Sequence, residues 1–128
     1  LGPTNHSIRR YMLENNIERV ADMDPAWCEE VLLRHILIGK IYRDDVPRGK
    51  RDGAFVEGGQ EYTTAGGQSL YLFTERGSYG TVMEAGAVKL CCLPKGTNWE
   101  IEIASTNIEP DNCVVHSLGY AFTLNNDL

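Results

Sequence analysis

The stretch Trp99-Glu100-Ile101-Glu102-Ile103 is the most regular part of the sequence, and it indicates a β-strand with one apolar face. Apolar and acidic residues alternate along it, and successive side chains of a strand point to opposite faces of a sheet. We therefore expect Trp99, Ile101 and Ile103 to be buried together. Glu100 and Glu102 are expected to lie in solvent on the opposite face.

Short apolar runs lie on both sides of this stretch and are separated by turns. Ten of the 13 glycines fall between Gly49 and Gly96, where they mark these turns. The predicted strands are His35–Tyr42, Ala54–Val56, Glu61–Thr64, Ser69–Phe73, Thr81–Glu84, Ala87–Leu93, Trp99–Ala104, Cys113–His116 and Tyr120–Leu124. Such spacing predicts a mainly β fold, a single antiparallel β-sandwich or jelly-roll barrel of about seven to nine strands. We expect no long helix from Ala54 to Leu124.

The beginning of the chain has the start signals of helices. Ser7 can cap a helix over Ile8–Asn15. Asp24 followed by Pro25 is a stronger signal, because an N-cap residue followed by proline at the first helical position is a common helix start. We therefore predict N-terminal helical segments in front of the sheet.

The composition fits one domain over residues 1–128, with the helical segment at 1–33 and the β-sandwich or barrel at 34–128. Twelve basic and 18 acidic residues give a net charge of −6, which argues against a nucleic-acid partner. No apolar run approaches the roughly 20 residues that span a bilayer, so we expect no membrane insertion. Neither the net charge nor the lack of a long apolar run argues against an oligomer.

Two features near the N-terminus bear on location. The chain opens at Leu1 without a methionine, which predicts a processed or trimmed product. Asn5-His6-Ser7 has the Asn-x-Ser spacing of an N-glycosylation sequon. These features favour a secreted or extracellular protein, and a cytoplasmic location stays open.

The cysteines and histidines form no recognisable metal-binding or catalytic pattern. They are Cys28, Cys91, Cys92, Cys113, His6, His35 and His116. No Cys-x-x-Cys or closely spaced histidine pair is present, so we expect no functional metal and no cofactor. Cys91 and Cys92 would point to opposite faces of a strand. The sequence leaves two alternatives open. One of these two cysteines forms a disulfide with Cys113, or all four cysteines are free thiols.

The alternative to a non-catalytic protein is an enzyme that uses Glu100 and Glu102. Two carboxylates on one face of a strand can serve as an acid and a base. The Glu-x-Glu pair also resembles the signature pair of ADP-ribosyltransferase toxins, which implies a transferase that uses Glu100 and Glu102. The early arginine strand and the Ser-Thr-Ser strand of that family have no counterpart in this sequence. Our leading prediction assigns no catalytic residue.

One segment, Gly66–Trp99, resembles the middle of a cupin. The resemblance rests on the stretch Gly66–Gly77, the turn Ala85-Gly86 and the corner Pro94-Lys95-Gly96. It implies a jelly-roll shape and, as an alternative function, a metal-independent cupin-type isomerase or lyase. Trp99 and Leu70 stand where that family has its metal-binding His and Glu, so the resemblance implies no metal centre.

The function that we predict first is recognition of a protein partner or a carbohydrate by a small secreted or host-interacting protein. Aromatic residues on a glycine-rich β scaffold offer flat surfaces with a polar group, and a charged hairpin tip is expected around the basic run. The candidate binding residues are Trp99, Tyr62, Tyr71, Tyr79, Tyr120, Arg48, Lys50 and Arg51. A structural jelly roll of a virus or phage is the third alternative.

Overall fold

A computed structural model describes residues 1–83, 85–119, 121, 122 and 124, and the fold is mainly β, as predicted. Strands hold 37% of the residues and helices 21%. The strands of this described part are β1 Gly49–Asp52, β2 Phe55–Gly58, β3 Gln60–Thr63, β4 Ser69–Arg76, β5 Val88–Pro94, β6 Ile101–Ile108 and β7 Val115–Leu118. They form antiparallel sheets of two and five strands, which confirms the predicted sandwich class.

The larger sheet is a meander in which strands β3 to β7 are neighbours in chain order. Its centre is the pair β4 and β5, which runs from Leu70 opposite Pro94 to Arg76 opposite Val88. The smaller sheet is the hairpin of β1 and β2. It packs on one face of β4 and β5 through Val56.

Side chains of the central strands alternate between two apolar clusters, one on each face of the larger sheet. Leu72 and Cys92 belong to the larger cluster, whereas their neighbours Phe73 and Cys91 belong to the smaller one. The opposite orientation predicted for Cys91 and Cys92 is therefore confirmed. The buried members of the larger cluster are Val31, Val46, Leu70, Leu72, Leu90, Cys92, Ile101, Ile103, Leu118, Phe122 and Leu124. Those of the smaller cluster are Val56, Phe73, Cys91 and Leu93.

Two α-helices precede the sheet. The first, α1 Asn5–Glu14, begins after Thr4, whose hydroxyl oxygen accepts the Ser7 N–H at 3.3 Å. Ser7 is buried inside this helix, so its prediction as the N-cap is wrong. The second, α2 Pro25–Arg34, begins as predicted, with the Asp24 carboxylate accepting a backbone N–H of the first turn at 3.1 Å.

The predicted strand His35–Tyr42 is wrong. His35 ends α2, and the residues after it are irregular apart from one bridge between Leu37 and Thr64. Gly39 has a φ of +98°, a backbone conformation that belongs to turns and not to strands. Ile38 is 80% exposed, so the apolar run does not mark a buried strand.

The predicted strand Thr81–Glu84 is also wrong over its described residues. Tyr79 and Val82 form a single bridge, with each backbone N–H donating to the carbonyl oxygen of the other residue. This geometry is that of a tight turn in the connection between β4 and β5. Glu84 lies outside the described residues.

The predicted strand Tyr120–Leu124 falls partly outside the described residues, since Tyr120 and Thr123 are not among them. The described residues Ala121, Phe122 and Leu124 belong to no strand. Phe122 and Leu124 are buried in the larger cluster, 4% and 7% exposed. Their apolar character therefore reflects burial and not strand alternation.

Three further expectations concern the chain as a whole. The described residues from Ala54 to Leu124 contain no helix, as predicted. None of the helices in the described part is long and apolar enough to cross a membrane. The four cysteines are free thiols in the structure, which favours that alternative over a disulfide to Cys113.

Candidate functional site

Trp99 is exposed, so its predicted burial is wrong. Ile101 and Ile103 are buried as predicted, at 2% and 7% exposure, but Trp99 keeps 62% of its surface in solvent. The reason is that β6 begins only at Ile101 and pairs with β5 only opposite Cys91 and Cys92. Trp99 therefore lies in the loop before the strand, where alternation no longer decides burial.

The loop that carries Trp99 is ordered by its own hydrogen bonds. The Thr97 hydroxyl donates to the Pro94 carbonyl oxygen at 2.9 Å and accepts the Trp99 N–H at 3.4 Å. Gly96 has a φ of +82°, which allows the chain to reverse directly after β5. The indole is thus presented on a hydrogen-bonded turn.

Arg51 joins this loop to the tip of the hairpin. Its Nη1 donates to the carbonyl oxygen of Asn98 at 2.9 Å and to that of Gly53 at 3.1 Å. Arg51 lies opposite Val56 in the hairpin, and Val56 is buried against the larger sheet. Because paired residues share a face, Arg51 reaches inward across the sheet. The hairpin tip and the loop before β6 are therefore held side by side.

Phe55 is an exposed aromatic residue of the hairpin tip. It is 67% exposed because its neighbour Val56 takes the buried face of β2. Two adjacent apolar residues of one strand cannot both face the same sheet, and this rule is the signal in the sequence that points to Phe55. Phe55 faces away from the larger sheet and Arg51 faces it, so the two side chains lie on opposite faces of the hairpin tip. We call the hairpin tip and the loop that Arg51 joins to it, with Arg51, Phe55, Asn98 and Trp99, the tip surface.

The other predicted aromatic binding residues are spread over the molecule. Tyr62 packs against the larger cluster and Tyr71 against the smaller one, each partly buried. Tyr79 is 77% exposed and lies in the connection between β4 and β5. Tyr120 lies outside the described residues. The predicted aromatic set is therefore not one site, and Trp99 is the member that borders Arg51.

The basic residues belong to an ordered hairpin strand. Arg48 directly precedes β1, and Lys50 and Arg51 lie within it. Arg48 and Lys50 are exposed, and Lys50 is paired opposite Glu57 across the hairpin. The three residues do not converge, since the Arg51 side chain reaches the Trp99 loop while Lys50 lies on the outer face.

The hairpin is held on the larger sheet by two close glycine contacts. A Cβ atom placed on Gly49 would lie 2.8 Å from the Cβ of Phe73, and one on Gly59 would lie 2.9 Å from it. Gly59 also has a φ of +65°, which favours glycine. A larger residue at either position would push the hairpin away from β4.

Glu100 and Glu102 have different surroundings. Glu102 is exposed, as predicted, and its carboxylate lies close to Gly119. Glu100 is half-buried, so its predicted position in solvent is wrong. Its carboxylate, the Glu75 carboxylate and the Cys91 thiol lie within 4.8 Å of one another. This is the group of the described residues whose donor atoms are close enough to share a metal ion.

The Cys91 thiol in this group is not arranged as a nucleophile. Cys91 is 1% exposed, and burial, together with the charges of Glu100 and Glu75, raises its pKa to about 12. A nucleophilic or metal-binding cysteine must lose its proton, and a raised pKa opposes that loss. The group therefore adds no support to the enzyme alternative.

The contacts of the His116 side chain indicate a structural role. Its Nε2 donates to the Ile41 carbonyl oxygen at 2.7 Å, and its Nδ1 accepts the Asn107 N–H at 3.2 Å. Asn107 has a φ of +57° and accepts the Arg43 N–H through its side-chain oxygen at 2.8 Å. Burial lowers the pKa of His116, which keeps its ring neutral. The imidazole therefore links the segment around Ile41 to β6 and β7.

Comparison with protein-family models, with curated proteins and with solved structures finds no match to this chain. The resemblances to cupins and to ADP-ribosyltransferase toxins stay expectations from the sequence. The class that the fold and the site define is a mainly β domain with exposed aromatic residues on a hairpin tip and on the loop that Arg51 joins to it.

Proposed function

We propose that this protein is a non-catalytic recognition domain that binds a partner protein through the tip surface. The observation that carries the proposal is the exposure of Trp99 and Phe55 on two elements joined by Arg51. Tryptophan and arginine are the residue types that most often dominate the binding energy of protein interfaces. The surface thus has the residue types of a binding centre.

The order of the tip surface supports the proposal further. Single exposed aromatic residues are common on protein surfaces and need no explanation. In this protein, however, the Arg51 hydrogen bonds and the Thr97 turn order the backbone beside Trp99. A surface that is ordered before binding loses less conformational entropy when the partner arrives.

A protein partner is favoured over a carbohydrate by Phe55. Its side chain has no polar group with which to orient a sugar hydroxyl, whereas it can fill an apolar depression on a protein. Carbohydrate binding is the second candidate, because an exposed indole such as that of Trp99 can stack on a sugar ring.

The test uses a displayed library of random peptides and a glycan array, each probed with the unaltered protein. We expect peptides to be enriched whose binding weakens at least about tenfold in Trp99→Ala, the size of a typical hot-spot loss. Phe55→Ala is expected to weaken the same peptides. Ile38→Ala is the matched control, since Ile38 is 80% exposed and belongs to the irregular segment after α2.

The outcomes separate the two candidates. Peptides that depend on Trp99 and Phe55 but not on Ile38 support a protein partner. Glycans that depend on Trp99 with no such peptides support the carbohydrate alternative and contradict the first. Binding that is unchanged in Trp99→Ala and Phe55→Ala contradicts any role for the tip surface.

We also propose an extracellular setting, supported by the sequon Asn5-His6-Ser7. Asn5 is exposed in the first turn of α1. Expression through a eukaryotic secretory pathway is expected to add a glycan that peptide N-glycosidase removes, and Asn5→Gln is expected to lack it. A secreted chain without the glycan contradicts the proposal.

A further inference from the structure

An open groove of about 620 Å³ lies between α1 and the chain that follows this helix. The residues of α1 that line the groove are spaced three or four apart, so they share one face of the helix. They are Asn5, Ile8, Arg9, Met12 and Leu13, and the following chain adds Asn16, Ile17, Glu18 and Val20. The groove contains no residue of the tip surface.

The groove combines apolar and polar side chains. Ile8, Met12 and Ile17 are half-buried, whereas Leu13 and Val20 are 69% and 63% exposed. The polar residues of the groove are Arg9, Asn16 and Glu18. A sugar ring has apolar C–H faces and hydroxyl groups around its edge. The groove therefore offers apolar contact for the ring and hydrogen-bonding groups for the hydroxyls.

Asn5 is the residue of this groove that can carry a sugar. It is the asparagine of the sequon Asn5-His6-Ser7, and it is exposed in the first turn of α1. Asn5 lies on the same helix face as Ile8, Arg9 and Met12, because these residues follow it at helical spacing. Leu13 lies about 12 Å further along the helix axis. A glycan on Asn5 therefore starts at one end of the groove.

We propose that the first sugars of an N-linked glycan on Asn5 pack in this groove over Met12 and Leu13. The inference rests on the extracellular setting proposed above. A glycan held by a covalent bond stays at a high local concentration beside the groove, so weak contacts are enough to keep it there. The sugars would cover apolar side chains that are otherwise exposed to solvent.

The attachment itself is ordinary N-glycosylation. Nδ2 of Asn5 forms a bond to C1 of an N-acetylglucosamine that a lipid-linked diphosphate delivers. The bond from C1 to the diphosphate oxygen breaks, the diphosphate leaves with the electrons of that bond, and Nδ2 gives up one proton. Ser7 of the sequon is buried in the folded protein, so the transfer takes place before α1 packs.

The test compares the secreted glycoprotein with Asn5→Gln secreted from the same cells. Both are exposed briefly to hydroxyl radicals, and peptide mass spectrometry measures the oxidation of each side chain, which follows its exposure. We expect Met12 and Leu13 to be oxidised severalfold less in the glycoprotein than in Asn5→Gln. Met83 and Ile38 are the matched controls, since they are 83% and 80% exposed outside the groove, and their oxidation should be equal in both proteins.

A second variant checks that contact with the groove causes the protection. Leu13→Ser removes apolar contact for the sugar, so it should reduce the protection of Met12 by the glycan. Leu32→Ser should leave that protection in place, because Leu32 is 62% exposed but lies on α2. Equal oxidation of Met12 and Leu13 in the glycoprotein and in Asn5→Gln overturns this inference and leaves the extracellular setting standing. A secreted chain without a glycan overturns both.

Discussion

Arg51 donates a hydrogen bond to the backbone carbonyl oxygen of Asn98, 47 residues further along the chain. This bond connects the tip of the β1–β2 hairpin with the loop between β5 and β6. The two elements belong to different sheets, and Arg51 is the side chain that spans them. Trp99 follows Asn98 directly, so this hydrogen bond also holds the backbone next to Trp99 in place.

The Arg51 bond leads to the first prediction. Arg51→Ala removes two hydrogen bonds to backbone carbonyls, so we expect the free energy of unfolding to fall by about 0.5–1.5 kcal/mol. Hydrogen exchange of the amides from Thr97 to Trp99 should become faster. Urea unfolding and native-state exchange measure these effects. Lys50→Ala is the control, because Lys50 is exposed on the outer face, and an equal effect of both variants would rule out a specific role of Arg51.

The second prediction compares two residues of the alternating stretch. Ile101 is 2% exposed and Trp99 is 62% exposed. Ile101→Ala should lower the free energy of unfolding by about 2–5 kcal/mol, because it leaves a cavity in the larger cluster. Trp99→Ala should change it by no more than about 0.5 kcal/mol, as surface substitutions usually do.

A third variant serves as a reference for this pair. Glu100→Gln keeps the shape of the side chain and removes a negative charge that repels the Glu75 carboxylate, so the free energy of unfolding should not fall. Chemical denaturation followed by circular dichroism measures all three. A loss in Trp99→Ala as large as that in Ile101→Ala would mean that the indole is buried after all.

The comparison of Ile101 with Trp99 also shows how far the sequence predicts the fold. Alternation gives the correct faces of Ile101, Ile103 and the Cys91–Cys92 pair, because these residues lie in paired strands. It fails at Trp99, since β6 and its pairing with β5 begin only at Ile101, two residues later in the chain. A period of two in the sequence does not mark where a strand begins.

The prediction of a strand over His35–Tyr42 fails for a different reason. The β-branched residues of this segment favour a strand, but α2 continues to Arg34 and Gly39 turns the chain. Sequence patterns indicate the tip surface only in part, because Arg51 and Asn98 are far apart in the sequence and no local pattern links them.

The third prediction concerns the thiols. Burial raises the pKa of Cys91 and of Cys92 to about 12, whereas Cys113 is exposed. The thiolate is the reactive form, so the native protein should react with iodoacetamide first at Cys113, and Cys91 and Cys92 should react only after unfolding. Peptide mass spectrometry after brief alkylation measures the order. Labelling of Cys91 in the native protein at the rate of Cys113 would contradict the described burial.

The last prediction concerns acid stability. Burial lowers the pKa of His35 and of His116 from the ordinary value of 6.5. Below that value the unfolded chain binds protons that the folded chain does not bind, so the free energy of unfolding should decrease as the pH falls from about 7 towards 5. Above the ordinary value both states carry neutral rings, so the two histidines add no further change in stability. Urea unfolding at intervals across this range measures how the free energy of unfolding changes with pH. His35→Gln and His116→Gln should each reduce this change. His6→Gln is the control, because His6 is exposed, and it should leave the change in place. A stability that does not change between pH 7 and about 5, or a slope that persists in the two buried variants, would show that the imidazoles are not held neutral in the folded protein.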